Sequence, residues 1–205
     1  DIFQNTERTI PVEEAQDIVY AGVLIPRKGV HNLLSAFSQL EQPHAQLHLV
    51  GHPENEAYAE QLKQQAQELG IADRVHFVGN VSQQGLADYF AKSRVMVLPS
   101  LSEGLGRVVV EAMLLGIPVI GARVGGIPDM ITDGENGYLV EPKNVESLVD
   151  ALTKIYSADV KTMGYNAKQF AQDFFSPEQY VAGYRQLFEM AGSDNHRGTE
   201  SAEKS

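Results

Sequence analysis

The sequence predicts an α/β fold: a Rossmann-like parallel sheet with helices on both faces, followed by C-terminal helices. Three observations carry this. Short apolar runs of four to seven residues alternate with segments of helical periodicity. A glycine or proline closes most of those runs at their carboxyl ends. Strands separated by helices pair in parallel through right-handed crossovers, which bury both faces of the sheet.

Taken in order, Asp17 to Val23 reads as the first strand, with Gly22 at its end. Residues 29–40 place Val30, Leu33, Leu34, Phe37 and Leu40 on one helical face. Leu47 to Val50 is a strand closed by Gly51, and residues 54–69 a Gln-rich helix stopped by Gly70. Val75 to Val78 precedes Gly79, and Leu86, Tyr89 and Phe90 mark the next helix. Val95 to Leu98 ends at Pro99, residues 106–115 form an apolar helix, and Pro118 introduces the strand Val119-Ile120. Asp133-Gly-Glu-Asn-Gly137 is a turn before the strand Tyr138 to Val140.

Beyond residue 144, Asn144 caps a helix carrying Leu148, Leu152 and Ile155. Ser176-Pro177-Glu178-Gln179 starts a last helix over 177–191, and the polar stretch 192–205 reads as a disordered tail. The expected division is therefore a linker over 1–16, one domain over 17–191 and the tail. The first residues carry no initiator Met, no basic flank and no apolar stretch, so the chain reads as cut from something larger.

Composition narrows the function classes. The 205 residues include no cysteine, which removes disulfides, thiolate metal sites and cysteine nucleophiles. A net charge of -11 repels nucleic acid and anionic lipid, so a phosphate ligand must be held by a local arrangement. No apolar run reaches the roughly 18 residues of a membrane-spanning helix. A cytoplasmic protein fits, with any membrane association peripheral.

The densest chemical signal is Pro99-Ser-Leu-Ser-Glu103-Gly-Leu-Gly106-Arg-Val-Val-Val-Glu111. A strand ends, a glycine-containing loop comes next and a helix begins near Gly106. Free backbone N–H groups at such a helix start, aided by the helix dipole, form an anion site. Two carboxylates flank it, and a carboxylate accepts a diol well. Read singly, Glu111 is also a solvated helix acid, the glycines a tight turn and Lys28 a loop lysine.

Glu103 and Glu111 resemble the E-x7-E motif of the glycosyltransferase family 4 donor domain, one half of a GT-B fold. Gly22-Val-Leu-Ile-Pro-Arg-Lys28-Gly29 is similar to the first loop of that family. His76-Phe-Val-Gly79-Asn-Val81 resembles the segment that cups the base. Pro118 through Gly125-Gly126-Ile-Pro128-Asp129, together with Asp133 to Gly137, resembles the family's segment C-terminal to the motif. The resemblance spans roughly residues 18–156.

It implies a donor site made of Gly22, Val23, Arg27, Lys28, Gly79, Val81, Glu103, Gly104, Leu105, Gly106, Arg107, Val108 and Glu111. In it Glu111 holds the ribose and Glu103 the sugar hydroxyls, so loss of Glu103 leaves binding of the bare nucleotide nearly unchanged. Amides from Gly104 to Val108 and the Lys28 ammonium hold the diphosphate, and Lys28 and Glu103 are the candidate catalytic pair. The physical logic is that a fixed cation and aimed amides stabilise charge building on a leaving diphosphate.

The implied activity is retaining hexosyl transfer from a UDP- or GDP-linked sugar to a growing glycan, a glycolipid or a small molecule, as in polysaccharide biosynthesis. The acceptor half would be a missing N-terminal domain, leaving this chain inactive alone. Two departures stand out: Val23 occupies a position where the family often carries arginine, leaving Arg27 as the neighbouring cation, and Asp129 replaces a common glutamate. No metal is expected, because the chain lacks Asp-x-Asp and its six histidines show no ligand spacing. No cofactor is expected beyond the donor substrate. A dinucleotide-binding domain is disfavoured, since the first turn lacks G-x-G-x-x-G. An epimerase, a phosphorylase or a decayed, non-catalytic binding module remain open alternatives.

Overall fold

Six parallel strands form one sheet in the order β3-β2-β1-β4-β5-β6 in the computed structural model, which describes residues 2–174. The strands are β1 (Asp17–Ala21), β2 (Leu47–Val50), β3 (Val75–Gly79), β4 (Ser93–Leu98), β5 (Val119–Ala122) and β6 (Gly137–Val140). All six side chains of β4 are buried, as a strand covered on both faces requires. The expected helix over 177–191 and tail over 192–205 lie outside the described residues.

Among the described residues, seven α-helices accompany the sheet: α1 (Ile2–Asn5), α2 (Val30–Phe37), α3 (Glu56–Glu68), α4 (Gln83–Lys92), α5 (Arg107–Leu114), α6 (Val145–Ser157) and α7 (Val160–Phe174). Helix α2 packs on α3 and α6, while α1 packs on α4 and α5, giving one group to each face. Sequence chemistry sets their starts. The Asn55 side chain accepts from Tyr58 N at 2.9 Å, Ser82 Oγ from Gly85 N at 3.1 Å and Asn144 from Ser147 N at 2.8 Å. Residues 2–170 form one compact unit; of a second unit only Ala171–Phe174 are described.

Residues 2–16 are packed rather than extended. Phe3 and Ala15 are buried, and the Phe3 ring lies 6.2 Å from that of Phe90. Buried Arg94 secures this segment by donating to the carbonyls of Glu13 and Ala15 and to those of Ile155 and Tyr156 at the end of α6. The last carbonyls of a helix lack intrahelical partners and carry partial negative charge, so they suit a buried guanidinium. Helix α7 was not anticipated from sequence. Gly164 in its middle admits the turn after α5, because a Cβ there would stand 2.3 Å from Gly116 O.

Strand order fixes the site. The chain leaves β1 toward β2 on one side and enters β4 on the other, so the sheet reverses between β1 and β4. Ligands in such sheets bind in the crevice beyond the carboxyl ends at that switch point.

Candidate functional site

A cleft of about 710 Å³ opens at the carboxyl ends of the strands. The loop after β1 supplies Gly22, Val23, Arg27 and Lys28; the loops after β2 and β3 supply His52, Glu54, Asn80 and Val81. Glu103, Gly106, Arg107 and Val108 come from the loop after β4 and the start of α5. Of the sequence-predicted residues, Gly79, Gly104, Leu105 and Glu111 do not line it.

Each of these four has a definite place. Gly79 O accepts from Gly51 N at 2.9 Å, joining the loops after β2 and β3. Gly104 O accepts from Gly126 N at 2.8 Å, and Leu105 is half-exposed. Glu111 lies one helical turn beyond Arg107, so the two share a face of α5. Burial raises the pKa of its half-buried carboxyl, against a smaller lowering by Arg107.

At the start of α5, Gly106 adopts φ 67° and no side chain caps the helix. A left-handed residue here lets the chain turn sharply into the helix while exposing the first N–H groups. Gly106, Arg107 and Val108 line the cleft, at the positive end of the helix dipole.

The first and fourth loops meet in the middle of the site. Lys28 Nζ lies 2.5 Å from Glu103 Oε2, and Ser100 Oγ donates to the same oxygen at 2.9 Å. Both charged side chains are largely buried, at 14% and 12% exposed. Backbone contacts hold them there. Leu101 N donates to Arg27 O at 2.7 Å, and Gly29, at φ 70°, lies so close to Pro99 that a Cβ would stand 2.1 Å from its carbonyl oxygen. Gly125 braces Glu103 from the other side, where a Cβ would stand 2.1 Å from Glu103 O.

Tyr20 was missed by sequence reasoning because a tyrosine within a strand reads as core. Its hydroxyl donates to Val23 O at 2.9 Å and so props the first loop. Burial, and then the negative Glu103, push the phenol far above its ordinary range, so it stays a donor. Ser100 and His52 were also missed. Ser100 stands three residues before Glu103, the one available signal. His52 Nδ1 lies 3.0 Å from Asn80 Oδ1, joining two loops that only the strand order brings together.

Cations gather in this cleft of an acidic chain: Arg27, Lys28 and Arg107 against Glu54 and Glu103. Among the described residues, no group of three or more His, Asp or Glu could hold a metal ion. No helix among them is long and apolar enough to cross a membrane.

A family model described as glycosyl transferases group 1 matches residues 2–170. D-inositol 3-phosphate glycosyltransferase of Streptomyces griseus is 38% identical over 166 residues, 76% of this chain and 35% of that protein. MMP alpha-(1->4)-mannosyltransferase of Mycolicibacterium hassiacum is 33% identical over 178 residues, 85% of this chain and 43% of its own length. Anabaena Alr3699/HepE, solved in complex with UDP-glucose, superposes with a TM-score of 0.78 at 28% identity, covering 94% of this chain and 55% of that one. The chain thus spans less than half the length of the two curated relatives.

Proposed function

The chain belongs to the group 1 glycosyl transferases, and from that premise we propose that it is the donor-binding half of a retaining hexosyltransferase of the GT-B kind. The observation that carries this is the cleft at the β1/β4 switch point, where Lys28 and the uncapped start of α5 converge. Such a pairing of cation and amides suits a diphosphate. A UDP-linked sugar is the donor favoured by the Anabaena complex with UDP-glucose; a GDP-linked sugar would use the same phosphate contacts. The acceptor would sit on an N-terminal half of the intact enzyme, and the present chain alone would not catalyse transfer.

Lys28 would face the diphosphate, Glu103 the sugar hydroxyls and Glu111 the ribose. No metal is needed in this reading, because Lys28, Arg107 and the helix amides supply the positive charge. The test is calorimetric titration of the chain with UDP-, GDP- and ADP-glucose in the presence of a chelator. Saturable binding of one of them is expected; binding that appears only with added divalent ion would refute the metal-free site.

Retention is what the resemblance to the family 4 motif set implies. With the intact enzyme, NMR of the product should show the anomeric configuration of the donor, and an inverted product contradicts the assignment.

Ribose binding by Glu111 also brings a pH dependence. A carboxylate accepts both ribose hydroxyls only when ionised, and burial raises the Glu111 pKa. Nucleoside affinity should therefore decline on acidification at a higher pH than an ordinary glutamate would give. Stability should respond in the opposite sense. A raised folded-state value means the folded chain holds the proton more tightly, so this group favours folding at low pH and less as pH rises through the raised value. Glu111→Gln should flatten the affinity profile; a profile as steep as the parent's removes Glu111 from the ribose.

A further inference from the structure

We infer that Glu103 is a specificity-determining residue that discriminates the sugar-bearing donor from the free nucleoside diphosphate left after transfer. The inference rests on the donor-site reading above.

Its basis is the contact between Lys28 Nζ and Glu103 Oε2 at 2.5 Å. The ammonium offered to the diphosphate is already paired with a carboxylate. Both groups are largely withdrawn from water, so screening is weak and each senses the other's charge strongly. Ser100 and the backbone brace at Gly29 and Pro99 keep Glu103 beside Lys28, so a ligand cannot simply swing it aside. Any phosphate reaching Lys28 must approach that carboxylate.

The two ligands present different chemistry there. In the donor, the outer phosphate is esterified, and the neutral hydroxyls of the sugar can donate to Glu103. In the product, the outer phosphate is terminal and carries about one further negative charge near neutral pH. That charge meets the carboxylate with no hydroxyl between them. Glu103 would thus attract the donor and oppose the product, favouring release once the sugar has left. On this proposal Glu103 is not indifferent to the bare nucleotide.

The experiment is calorimetric titration of the 205-residue chain and its Glu103→Gln, Glu103→Ala and Glu103→Asp variants with UDP and UDP-glucose. Thermal melts of each verify folding. Glu103→Gln and Glu103→Ala should tighten UDP about tenfold, the effect of relieving one near charge, without tightening UDP-glucose. Glu103→Asp, which keeps the charge, should retain the parent's ratio of the two affinities. A ratio unchanged in Glu103→Gln and Glu103→Ala, or both ligands weakened equally, overturns the inference while leaving the donor site standing. A parent that binds neither ligand overturns both.

Discussion

Gly29→Ala should destabilise the chain by about 3 kcal/mol, a large effect for a single methyl group. Two costs combine. The residue sits at φ 70°, a left-handed conformation that residues with a Cβ adopt at a penalty. The added carbon would stand 2.1 Å from Pro99 O, a backbone atom that can move only with its loop. Relief requires the loops after β1 and β4 to separate, which carries Lys28 away from Glu103 and from the start of α5. Denaturant unfolding should show the lost stability, and UDP binding should weaken with it. Gly70 is the matched control, since it has φ 69° but no atom within 4 Å of a built Cβ; Gly70→Ala meets only the conformational cost. Equal losses at the two glycines would remove the steric argument.

Lys28→Ala should weaken UDP by roughly tenfold to a hundredfold, the cost of about 1.5–3 kcal/mol for a lost charge-assisted hydrogen bond. UMP should hardly change, because the ammonium is assigned to the outer phosphate. The contrast matters more than the size. General disruption of the cleft would weaken both nucleotides alike, and that outcome would take Lys28 off the diphosphate. The lysine is paired with Glu103, so its loss also leaves that carboxylate uncompensated beside the diphosphate.

The sheet was legible because a strand buried on both faces must be a short apolar run, as Val95 to Leu98 is, and because glycines mark where strands become loops. Helix α7 escaped notice for a related reason. Val160, Met163 and Ala167 are buried at helical spacing, yet Gly164 and many polar residues interrupt the pattern. That glycine reads as a helix breaker and in fact permits close approach to Gly116. Residues 1–16 read as a linker because they would join a missing N-terminal domain; the burial of Phe3, Val12 and Ala15 depends on partners such as Phe90 and Arg94 far along the chain.

At the site, the motif named the residue types but not their contacts. Lys28 and Glu103 are 75 positions apart, and nothing local records that they touch. Their meeting follows from the adjacency of β1 and β4 together with two glycine-permitted approaches, at Gly29 and Gly125. The props at Tyr20 and Ser100 were invisible for the same reason: each is an ordinary residue until the opposing loop is in place.

The central claim is that a nucleotide sugar occupies the cleft at the β1/β4 switch point, with its diphosphate between Lys28 and the start of α5. Backbone amide NMR of the 15N-labelled chain, titrated with UDP-glucose, tests this most directly. The account predicts saturable shifts centred on Gly22, Lys28, Gly106, Arg107 and Val108, because a bound diphosphate would hydrogen-bond or polarise those amides. Shifts that leave these residues still, or that gather at the opposite end of the sheet around Gly116 and Gly164, would contradict it.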